Sequence, residues 1–447
     1  MKESMISNSI PLRVAIVGSG PAAFFCADYL LRLARPCTVA LFERRPYPFG
    51  LVRDAVAPDK PNIRAAATAF ARTAQCPGFS FWGNICVGKD ISLDDLRKRY
   101  HAVIIAAGAS RPRRLDIQGS GLSGCEDAVA FAGWYNGCLD DVDLCPDLSG
   151  SSAVIIGVGN AALDAARILA SPASVLERTD ISSAAMEVLR ECRVSDIHIV
   201  ARRGPYQVRF APQELELLAK VPGCRVVLHA SPEQLEPPDL NAATGRMRKA
   251  YDTTATAQGG ERCVHLHFNM TPVAVMGAGN VTGVLFETQE EEYLHISCGM
   301  LINSTGQAGC PVAGLPFDAV SNRIPNLSGR VMEGETVIPG VYTAGAVKRG
   351  ANSVIGANKP DCLETVQCIL ADRSELTRAG LQDDSDLPDL LKHRGVRVVT
   401  FQDWMLLDVL ERGRGTLRGK PRDRYLSLEM MFEALDREKE KETGNAV

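Results

Sequence analysis

The stretch 14–23 reads Val-Ala-Ile-Val-Gly-Ser-Gly-Pro-Ala-Ala, and the stretch 153–162 reads Ala-Val-Ile-Ile-Gly-Val-Gly-Asn-Ala-Ala. Each is an apolar strand that enters a Gly-x-Gly-x-x-Ala turn and opens a helix, the fingerprint of a dinucleotide-binding βαβ unit. Alanine replaces the third glycine in both copies, and it is accepted there because the position needs only a small residue. The chain therefore predicts an α/β protein with two Rossmann-like dinucleotide-binding domains.

The strand that follows each fingerprint ends in a residue of opposite charge. The strand 39–42 ends at Glu43, whereas the strand 197–201 ends at Arg202 and Arg203. A carboxylate accepts hydrogen bonds from a ribose diol and repels a 2'-phosphate, so the first ligand is FAD or NAD. Paired arginines suit a 2'-phosphate, so NADPH is the better hypothesis than NADH for the second ligand. Two different dinucleotides are predicted.

Strand patterns along the chain indicate that one domain is inserted into the other. The strand 102–108 closes the first unit, the basic and proline-containing stretch 111–114 is a crossover, and the strand 341–345 with the helix 361–370 returns to the first unit. A polar segment, 232–258, is broken by Pro237 and Pro238 and is predicted to be a surface insertion. We expect the first domain at 11–110 and 311–447, the latter with the C-terminal tail, and the second at 111–310.

Composition excludes several other classes of protein. The net charge of −4 argues against a nucleic-acid binder. The 14 cysteines contain neither a Cys-x-x-Cys nor a Cys-x-x-x-x-Cys pair, which argues against zinc and iron-sulfur sites and against a disulfide reductase. No metal site is expected. No apolar stretch approaches the roughly 20 residues that span a bilayer, so we expect a soluble protein with free thiols.

Longer motifs extend beyond the two fingerprints. They are Pro46-Tyr47-Pro48-Phe49-Gly50-Leu51-Val52-Arg53, Val56-Ala57-Pro58-Asp59, Gly133-Trp134-Tyr135-Asn136-Gly137, the run from Gly159 to Arg167, Ala201-Arg202-Arg203-Gly204-Pro205, Val347-Lys348-Arg349-Gly350 and Gly419-Lys420-Pro421-Arg422. With these motifs the chain resembles the adrenodoxin reductase type of ferredoxin-NADP reductase from about Val14 to Leu435.

The resemblance implies FAD in the first domain, NADP(H) in the second and a [2Fe-2S] ferredoxin or adrenodoxin-like protein as electron acceptor. On the matching positions it places cofactor contacts, those of FAD at Gly18, Gly20, Ala22, Glu43, Leu51, Val87, Ala346, Ser353, Val354 and Ile355, and those of NADP at Val158, Gly159, Asn160, Ala161, Arg202 and Arg203. It also brings Asp164 and Glu214 near the nicotinamide.

Two residues depart from the family pattern. Lys60 stands where members commonly carry histidine after Pro-Asp, and Ala346 stands where they carry tryptophan. A lysine in water titrates far above a histidine, so Lys60 supplies charge where relatives can move a proton. Alanine leaves a smaller wall beside the flavin ring. With Asp164 and Glu214, Lys60 completes the set of candidate catalytic residues.

The chemistry implied is electron transfer without a nucleophile. FAD accepts a hydride and can return electrons singly, which a nicotinamide cannot do. A basic surface at Arg246, Arg248 and Lys249 is a candidate docking site for an acidic ferredoxin. Two alternatives stay open, an NADPH oxidase or diaphorase without a ferredoxin and a nucleotide-binding sensor without turnover. The resemblance favours a monomer in the mitochondrial matrix, or in the cytoplasm of a bacterium.

Overall fold

A computed structural model describes residues 10–239, 241–255, 260–351, 355–378 and 380–444 of the chain. Up to the end of the first crossover region the elements are β1 (Leu12–Val17), α1 (Pro21–Leu33), β2 (Cys37–Glu43), α2 (Leu51–Asp54), α3 (Pro61–Arg64), α4 (Ala66–Ala74), β3 (Phe79–Gly83), α5 (Leu93–Arg99), β4 (Ala102–Ile105) and β5 (Arg111–Pro112).

The middle of the chain carries the second set of strands and helices. They are β6 (Cys125–Asp127), α6 (Ala128–Asn136), β7 (Ser152–Ile156), α7 (Asn160–Ala170), α8 (Ala173–Leu176), α9 (Ser183–Arg190), β8 (Asp196–Val200), α10 (Pro212–Ala219), β9 (Cys224–His229), α11 (Pro232–Leu235), α12 (Ala242–Ala255), β10 (Arg262–His267), β11 (Thr271–Ala278), β12 (Asn280–Glu287), β13 (Tyr293–Ser297), β14 (Met300–Asn303) and β15 (Gln307–Ala308).

The last part of the chain returns to the first sheet and ends in helices. Its elements are β16 (Asn326–Leu327), β17 (Arg330–Glu333), β18 (Thr336–Thr343), α13 (Ala346–Arg349), α14 (Asn358–Leu376), α15 (Leu387–His393), α16 (Phe401–Leu417) and α17 (Leu428–Gly444). Short 3₁₀ turns lie at Pro205–Gln207 and Ile355–Ala357.

The first sheet combines strands from both ends of the chain. Its order is β16-β17-β18-β4-β1-β2-β3, and β18, β4, β1, β2 and β3 are parallel. Side chains of β1 alternate between two apolar cores, since Val14 and Ile16 pack on the α1 side and Ala15 and Val17 on the other. Burial on both faces is typical of parallel sheets, and it explains why these strands are continuously apolar.

The second sheet is built entirely from the middle of the chain. Its order is β6-β14-β7-β8-β10-β9, all parallel, and helices α6, α7, α9 and α10 supply residues to the core on one face. The antiparallel sheet β11-β12-β13 packs on part of the other face. The predicted α/β fold with one Rossmann-like domain inserted into another is therefore confirmed. The numerical domain bounds given above stay a prediction.

The segment 232–258 is not the surface insertion that its composition predicts. It contains α11 and all of α12, and Ala250, Tyr251 and Thr254 are buried. The Tyr251 hydroxyl donates to the Pro205 carbonyl oxygen, and α12 packs on α10 and β9. The proline pair interrupts the chain only after the short helix α11. Although α12 is polar overall, one apolar stripe is enough to bury one of its faces.

No helix in the described parts of the chain has the length and apolar character needed to cross a membrane. All 14 cysteines are free thiols, and several of them lie in the cores of both domains.

Four histidines gather on the second face of the second sheet, beyond the cover of β11-β12-β13. This histidine cluster consists of His198 on β8, His229 on β9, and His265 and His267 on β10. His265 is the register partner of His198, and His267 is that of His229, so all four side chains share one face. Burial and the neighbouring imidazoles lower the pKa of His198 to about 4 and that of His267 to about 3. His198 and His267 are therefore neutral near pH 7.

Charged neighbours of the histidine cluster are few on the face it occupies. From β8, the Asp196 carboxylate lies 3.4 Å from His265 Nε2. Arg225 on β9 and Cys263 on β10 lie on the same face of the sheet, at the opposite end of these strands from His229 and His267. One nearby carboxylate does not compensate four positive imidazoles, so full protonation opposes folding.

We expect acid to destabilise the protein through this cluster. The folded-state pKa values lie below the ~6.5 of an unfolded histidine, so the stabilisation is complete above pH about 6.5 and is lost as the pH falls toward 4. We would measure the free energy of unfolding by urea titration between pH 7 and 5. It should fall less steeply with pH in H267Q than in the wild type, and the two slopes should differ by at most about 1.4 kcal/mol per pH unit. H393Q is the matched control and should follow the wild type. Identical slopes for H267Q and wild type would contradict the expectation.

Candidate functional site

The first glycine turn leaves open space at the start of α1. Gly18 has φ +104°, and a Cβ on it would come within 2.5 Å of the Ala106 carbonyl oxygen, so only glycine is tolerated there. A Cβ on Gly20 would meet no described atom within 4 Å. Gly20 caps α1 and has no side chain to cover the first amides, while Pro21 fits the first helical position. The space suits an anionic group such as a pyrophosphate.

Glu43 is fixed beside this turn. Its Oε2 accepts hydrogen bonds from the Ser19 amide at 3.0 Å and the Ser19 hydroxyl at 2.7 Å, and its Oε1 accepts one from the Arg45 amide at 3.1 Å. The end of β2 thus delivers a carboxylate to the mouth of the Gly18–Gly20 turn, where a ribose diol would lie next to a bound pyrophosphate.

Several other predicted contacts surround the same opening. A Cβ on Gly50 would lie 2.9 Å from Gly20 Cα, which places Leu51 at the turn. A Cβ on Gly345 would lie 2.6 Å from that of Ala22, which places Ala346 beside α1. Of the remaining predicted residues, Val87 packs in the core that contains Val347, Ile355 begins a 3₁₀ turn, and Ser353 and Val354 lie outside the described residues.

The second glycine turn repeats the geometry of the first. Gly157 has φ +116°, and a Cβ on it would lie 2.3 Å from the Ser304 carbonyl oxygen. A Cβ on Gly159 would find no neighbour within 4 Å among the described atoms. Asn160 opens α7, next to Ala161, and its Oδ1 accepts a hydrogen bond from the Ala211 amide at 3.0 Å.

This turn is also joined to the segment that precedes α10. The Val158 carbonyl oxygen accepts a hydrogen bond from the Arg209 amide at 3.0 Å. Together with the Asn160 contact, it ties the start of α7 to the approach of α10, the helix that carries Glu214.

Arg202 and Arg203 follow β8 and are exposed. Within the described part of the chain, neither guanidinium forms a hydrogen bond or an ion pair with another residue. Guanidinium groups bind phosphate oxygens in a bidentate manner, and these two have no competing carboxylate. The pair is therefore available to an anion next to the second turn.

Lys60, Asp164 and Glu214 meet between the two domains. Lys60 Nζ lies 2.5 Å from Asp164 Oδ1 and 2.5 Å from Glu214 Oε2. Lys60 comes from the first domain, Asp164 from α7 and Glu214 from α10, and each is at most 7% exposed. The structure thus brings together three residues that are separated by up to 154 positions in the sequence.

Arg167 and Asp59 belong to the same group, although the sequence analysis assigned them no role. Arg167 Nη2 donates to Asp164 Oδ1 at 2.7 Å and to Asp59 Oδ1 at 2.9 Å, and its Nη1 lies 3.7 Å from Glu214 Oε2. Burial would raise the pKa of Asp59, but the hydrogen bonds and charge of Arg167 hold it below its ordinary value. The sequence feature that could have indicated the Asp164–Arg167 pair is their i, i+3 spacing, which places both side chains on one helix face.

We call these five residues the interdomain ion cluster. It contains three carboxylates and two cations. Arg167 Nη1 and Glu214 Oε2 are buried, and neither forms a hydrogen bond of normal geometry with a described residue. Such atoms retain capacity for a polar group that enters between the domains.

A second set of buried charges holds the C-terminal tail against both domains. Arg424, 3% exposed, lies 3.9 Å from Asp54 in the first domain and 3.6 Å from Asp180 in the second. Asn136 donates from Nδ2 to the Asp54 carbonyl oxygen at 3.0 Å. The relative position of the two glycine turns is therefore fixed at more than one place.

The predicted basic docking surface is partly neutralised. On α12, Arg246 and Lys249 are exposed, whereas Arg248 pairs with Glu236 at 2.9 Å and Asp252 at 3.0 Å. Two of the three predicted cations remain unpaired in the contacts that the structure describes.

Comparisons with known proteins find relatives over nearly the whole chain. The family described as pyridine nucleotide-disulphide oxidoreductase matches residues 12–360. NADPH:adrenodoxin oxidoreductase, mitochondrial, of Homo sapiens is 38% identical over 460 residues, covering 95% of this chain and 92% of that protein. NADPH-ferredoxin reductase FprA of Mycobacterium tuberculosis is 37% identical, covering 94% and 98%. The structure of Mycobacterium tuberculosis FprA in complex with NADPH has a TM-score of 0.88, at 35% identity and coverages of 96% and 99%.

Replacement of Lys60 should lower the free energy of unfolding, because Lys60 compensates carboxylates in the interdomain ion cluster. K60M leaves Asp164 and Glu214 buried with less compensating charge, so the free energy of unfolding should fall by about 3–5 kcal/mol. K89M, at an exposed lysine, is the control and should unfold like the wild type in urea. The double variant K60M/E214Q should recover part of the loss, because it removes an unpaired charge. A K60M protein as stable as K89M would refute this role.

Proposed function

Because this chain belongs to the adrenodoxin reductase branch of the pyridine nucleotide-disulphide oxidoreductases, we propose that it passes electrons from NADPH, through FAD, to a [2Fe-2S] ferredoxin. It is an FAD- and NADP(H)-dependent flavoprotein oxidoreductase. The observation that carries the proposal is the pair of open glycine turns with opposite charges beside them, Glu43 at one and Arg202 with Arg203 at the other.

The first turn is the proposed FAD site. The amides at the start of α1 face the space in front of Gly20 and would bind the pyrophosphate. Glu43 would accept hydrogen bonds from the ribose diol, and its charge excludes a 2'-phosphate. We assign the walls of the site to the other predicted contacts, which are Gly18, Ala22, Leu51, Val87, Ala346, Ser353, Val354 and Ile355.

The second turn is the proposed NADPH site. The start of α7, with Val158, Gly159, Asn160 and Ala161, would bind the pyrophosphate, and Arg202 and Arg203 would bind the 2'-phosphate. The exposed and unpaired state of both guanidiniums supports this assignment, because binding would cost no existing ion pair.

FAD, when bound, accepts a hydride from the nicotinamide and returns electrons one at a time. The chain itself contributes position and a water-poor surrounding between the domains. We assign to Glu214 Oε2 and Arg167 Nη1 the binding of the nicotinamide carboxamide, which offers both a donor and an acceptor. Lys60 and Asp164 orient Glu214 through the short contacts described above.

Lys60 gives this chain a fixed donor where relatives carry an imidazole. Its Nζ forms an ion pair with both Asp164 and Glu214. We propose that Lys60 acts through its charge and position, because its Nζ lies between two carboxylates.

The acceptor is proposed to dock on the basic surface of α12. Arg246 and Lys249 are exposed and would attract an acidic ferredoxin, whereas the pairs of Arg248 with Glu236 and Asp252 reduce its share. We further propose that the protein acts as a monomer, in the mitochondrial matrix if its source is eukaryotic and in the cytoplasm if it is bacterial.

An NADPH oxidase without a ferredoxin is the second candidate. This function is favoured by the two residues that differ from the family pattern, Lys60 and Ala346, and by the partly neutralised docking surface. A nucleotide-binding sensor would require that NADPH bind without reducing the flavin.

Cytochrome c reduction separates these functions. We expect NADPH to bleach the yellow flavin anaerobically, and a [2Fe-2S] ferredoxin to increase cytochrome c reduction by the purified protein at least tenfold at low ionic strength. The same ferredoxin should have less effect in R246E/K249E, whereas R178E, at an exposed arginine of the same domain, is the control. No increase with ferredoxin would favour the oxidase, and a flavin that stays yellow would favour the sensor.

The two arginines after β8 should decide between NADPH and NADH. R202A/R203A removes both phosphate ligands, so KM for NADPH should rise by one to two orders of magnitude, because each charge-assisted contact contributes about 1.5–3 kcal/mol. KM for NADH, which lacks the phosphate, should change little. R178A controls for the general loss of positive charge. Equal increases in KM for the two nucleotides would remove the assignment of the 2'-phosphate site.

A further inference from the structure

The histidine cluster has a regular two-layer geometry that no step of electron transfer uses. In one layer His198 Nδ1 lies 3.0 Å from His267 Nε2, and in the other His229 Nε2 lies 2.9 Å from His265 Nδ1. The layers stack, with ring centroids 4.6 Å apart for His198 and His265 and 4.1 Å apart for His229 and His267. Four of the seven histidines of the chain are thus in mutual contact.

Each close pair shares one proton. A neutral imidazole has one N–H donor and one nitrogen lone pair, so one ring of each pair donates and the other accepts. A metal ion needs a lone pair on both facing nitrogens, and the donor ring provides one in its other neutral tautomer, with the proton on the nitrogen that faces away. Imidazole nitrogen is a preferred ligand of Cu²⁺, Ni²⁺ and Zn²⁺.

The separation of the nitrogens fits two adjacent positions on such an ion. Two ligands at right angles, each about 2.0–2.1 Å from the metal, lie about 2.8–3.0 Å from each other. The observed separations are 3.0 Å and 2.9 Å. No three side chains among the described residues already converge on one point as metal ligands, so the pairs are the units that the cluster offers.

We propose that the histidine cluster is a surface binding site for late first-row divalent cations. One ion is held by His198 and His267 and another by His229 and His265, after each ring turns its facing nitrogen toward the ion. The donor ring of each pair moves its proton to its other nitrogen, so each ion forms two metal-nitrogen bonds with neutral imidazoles, and water completes its coordination. The exposed edge at His229 gives solvent and the ion access.

Proton competition at this site is weak. Burial and the neighbouring rings lower the pKa of His198, His229 and His267, so these imidazoles are neutral near pH 7 and ready to bind a cation. The Asp196 carboxylate, 3.4 Å from His265 Nε2, adds a negative charge beside the cluster. Both features favour cation binding near pH 7.

A bound ion would join three strands next to the proposed 2'-phosphate site. The cluster lies on β8, β9 and β10, and β8 ends two residues before Arg202. The Ala201 amide donates to the His267 carbonyl oxygen at 2.9 Å, which links the cluster to the loop of the two arginines. The ion therefore stabilises the folded second domain, since it binds the unfolded chain less well.

The test is a titration of the FAD-loaded, untagged protein with NiCl₂ at pH 7.5, followed by calorimetry and thermal unfolding. We expect saturable binding of about two ions per chain and a rise of Tm by several degrees. The Ni K-edge absorption spectrum should carry the scattering signature of imidazole ligands.

Variants identify the ligands. H229Q changes an exposed side chain, so it should fold normally and lose one of the two equivalents. H198Q/H229Q removes one ligand from each pair and should weaken binding at least tenfold. H393Q and H295Q, which lie outside the cluster, are the controls and should bind like the wild type. Circular dichroism and flavin content establish that each variant is folded.

Two results would overturn the proposal. One is wild-type Ni²⁺ affinity in H198Q/H229Q, which would assign the ions to other groups such as surface thiols. The other is an absorption spectrum without imidazole ligands. Neither result bears on FAD, NADPH or the ferredoxin, so electron transfer would stand unchanged.

Discussion

The arrangement of the whole molecule depends on charges that are buried between its two domains. Lys60 and Arg167 are almost excluded from water, and each is surrounded by carboxylates from elements far apart in the sequence. Removal of one partner from such a group costs several kcal/mol, because the remaining charge has no solvent to compensate it. The relative position of the two domains therefore has to satisfy this cluster and the Arg424 contacts with Asp54 and Asp180.

Selection between the two dinucleotides follows from a single strand end in each domain. Glu43 and the pair Arg202 and Arg203 occupy equivalent places after the second strand of their units. The carboxylate is already fixed by amide and hydroxyl donors, whereas the guanidiniums are exposed to solvent. One site is thus preorganised for a resident group, and the other remains open to a nucleotide that must enter and leave.

Local signals in the sequence predicted the fold and the two turns, because glycine spacing, strand polarity and the first charge after a strand are short-range features. The group of Lys60, Asp164 and Glu214 came from a family resemblance, and Arg167 and Asp59 were missed because their contacts join distant segments. The segment 232–258 was misread because its prolines and polar residues are local, whereas the burial of Tyr251 depends on β9 and α10. The histidine cluster required the register of three strands that no spacing reveals.

The first sheet pairs β4 with β18, so Val103 lies beside Val341. On a ribosome, the first domain therefore lacks a central strand until more than two hundred residues after β4 have been made. All strands of the second sheet emerge before that point. The domain that is second in the chain is thus the first whose sheet can be completed, and the unfinished first domain exposes the edge of β4 throughout that interval. Insertion of one domain into another makes the order of assembly the reverse of the order of synthesis.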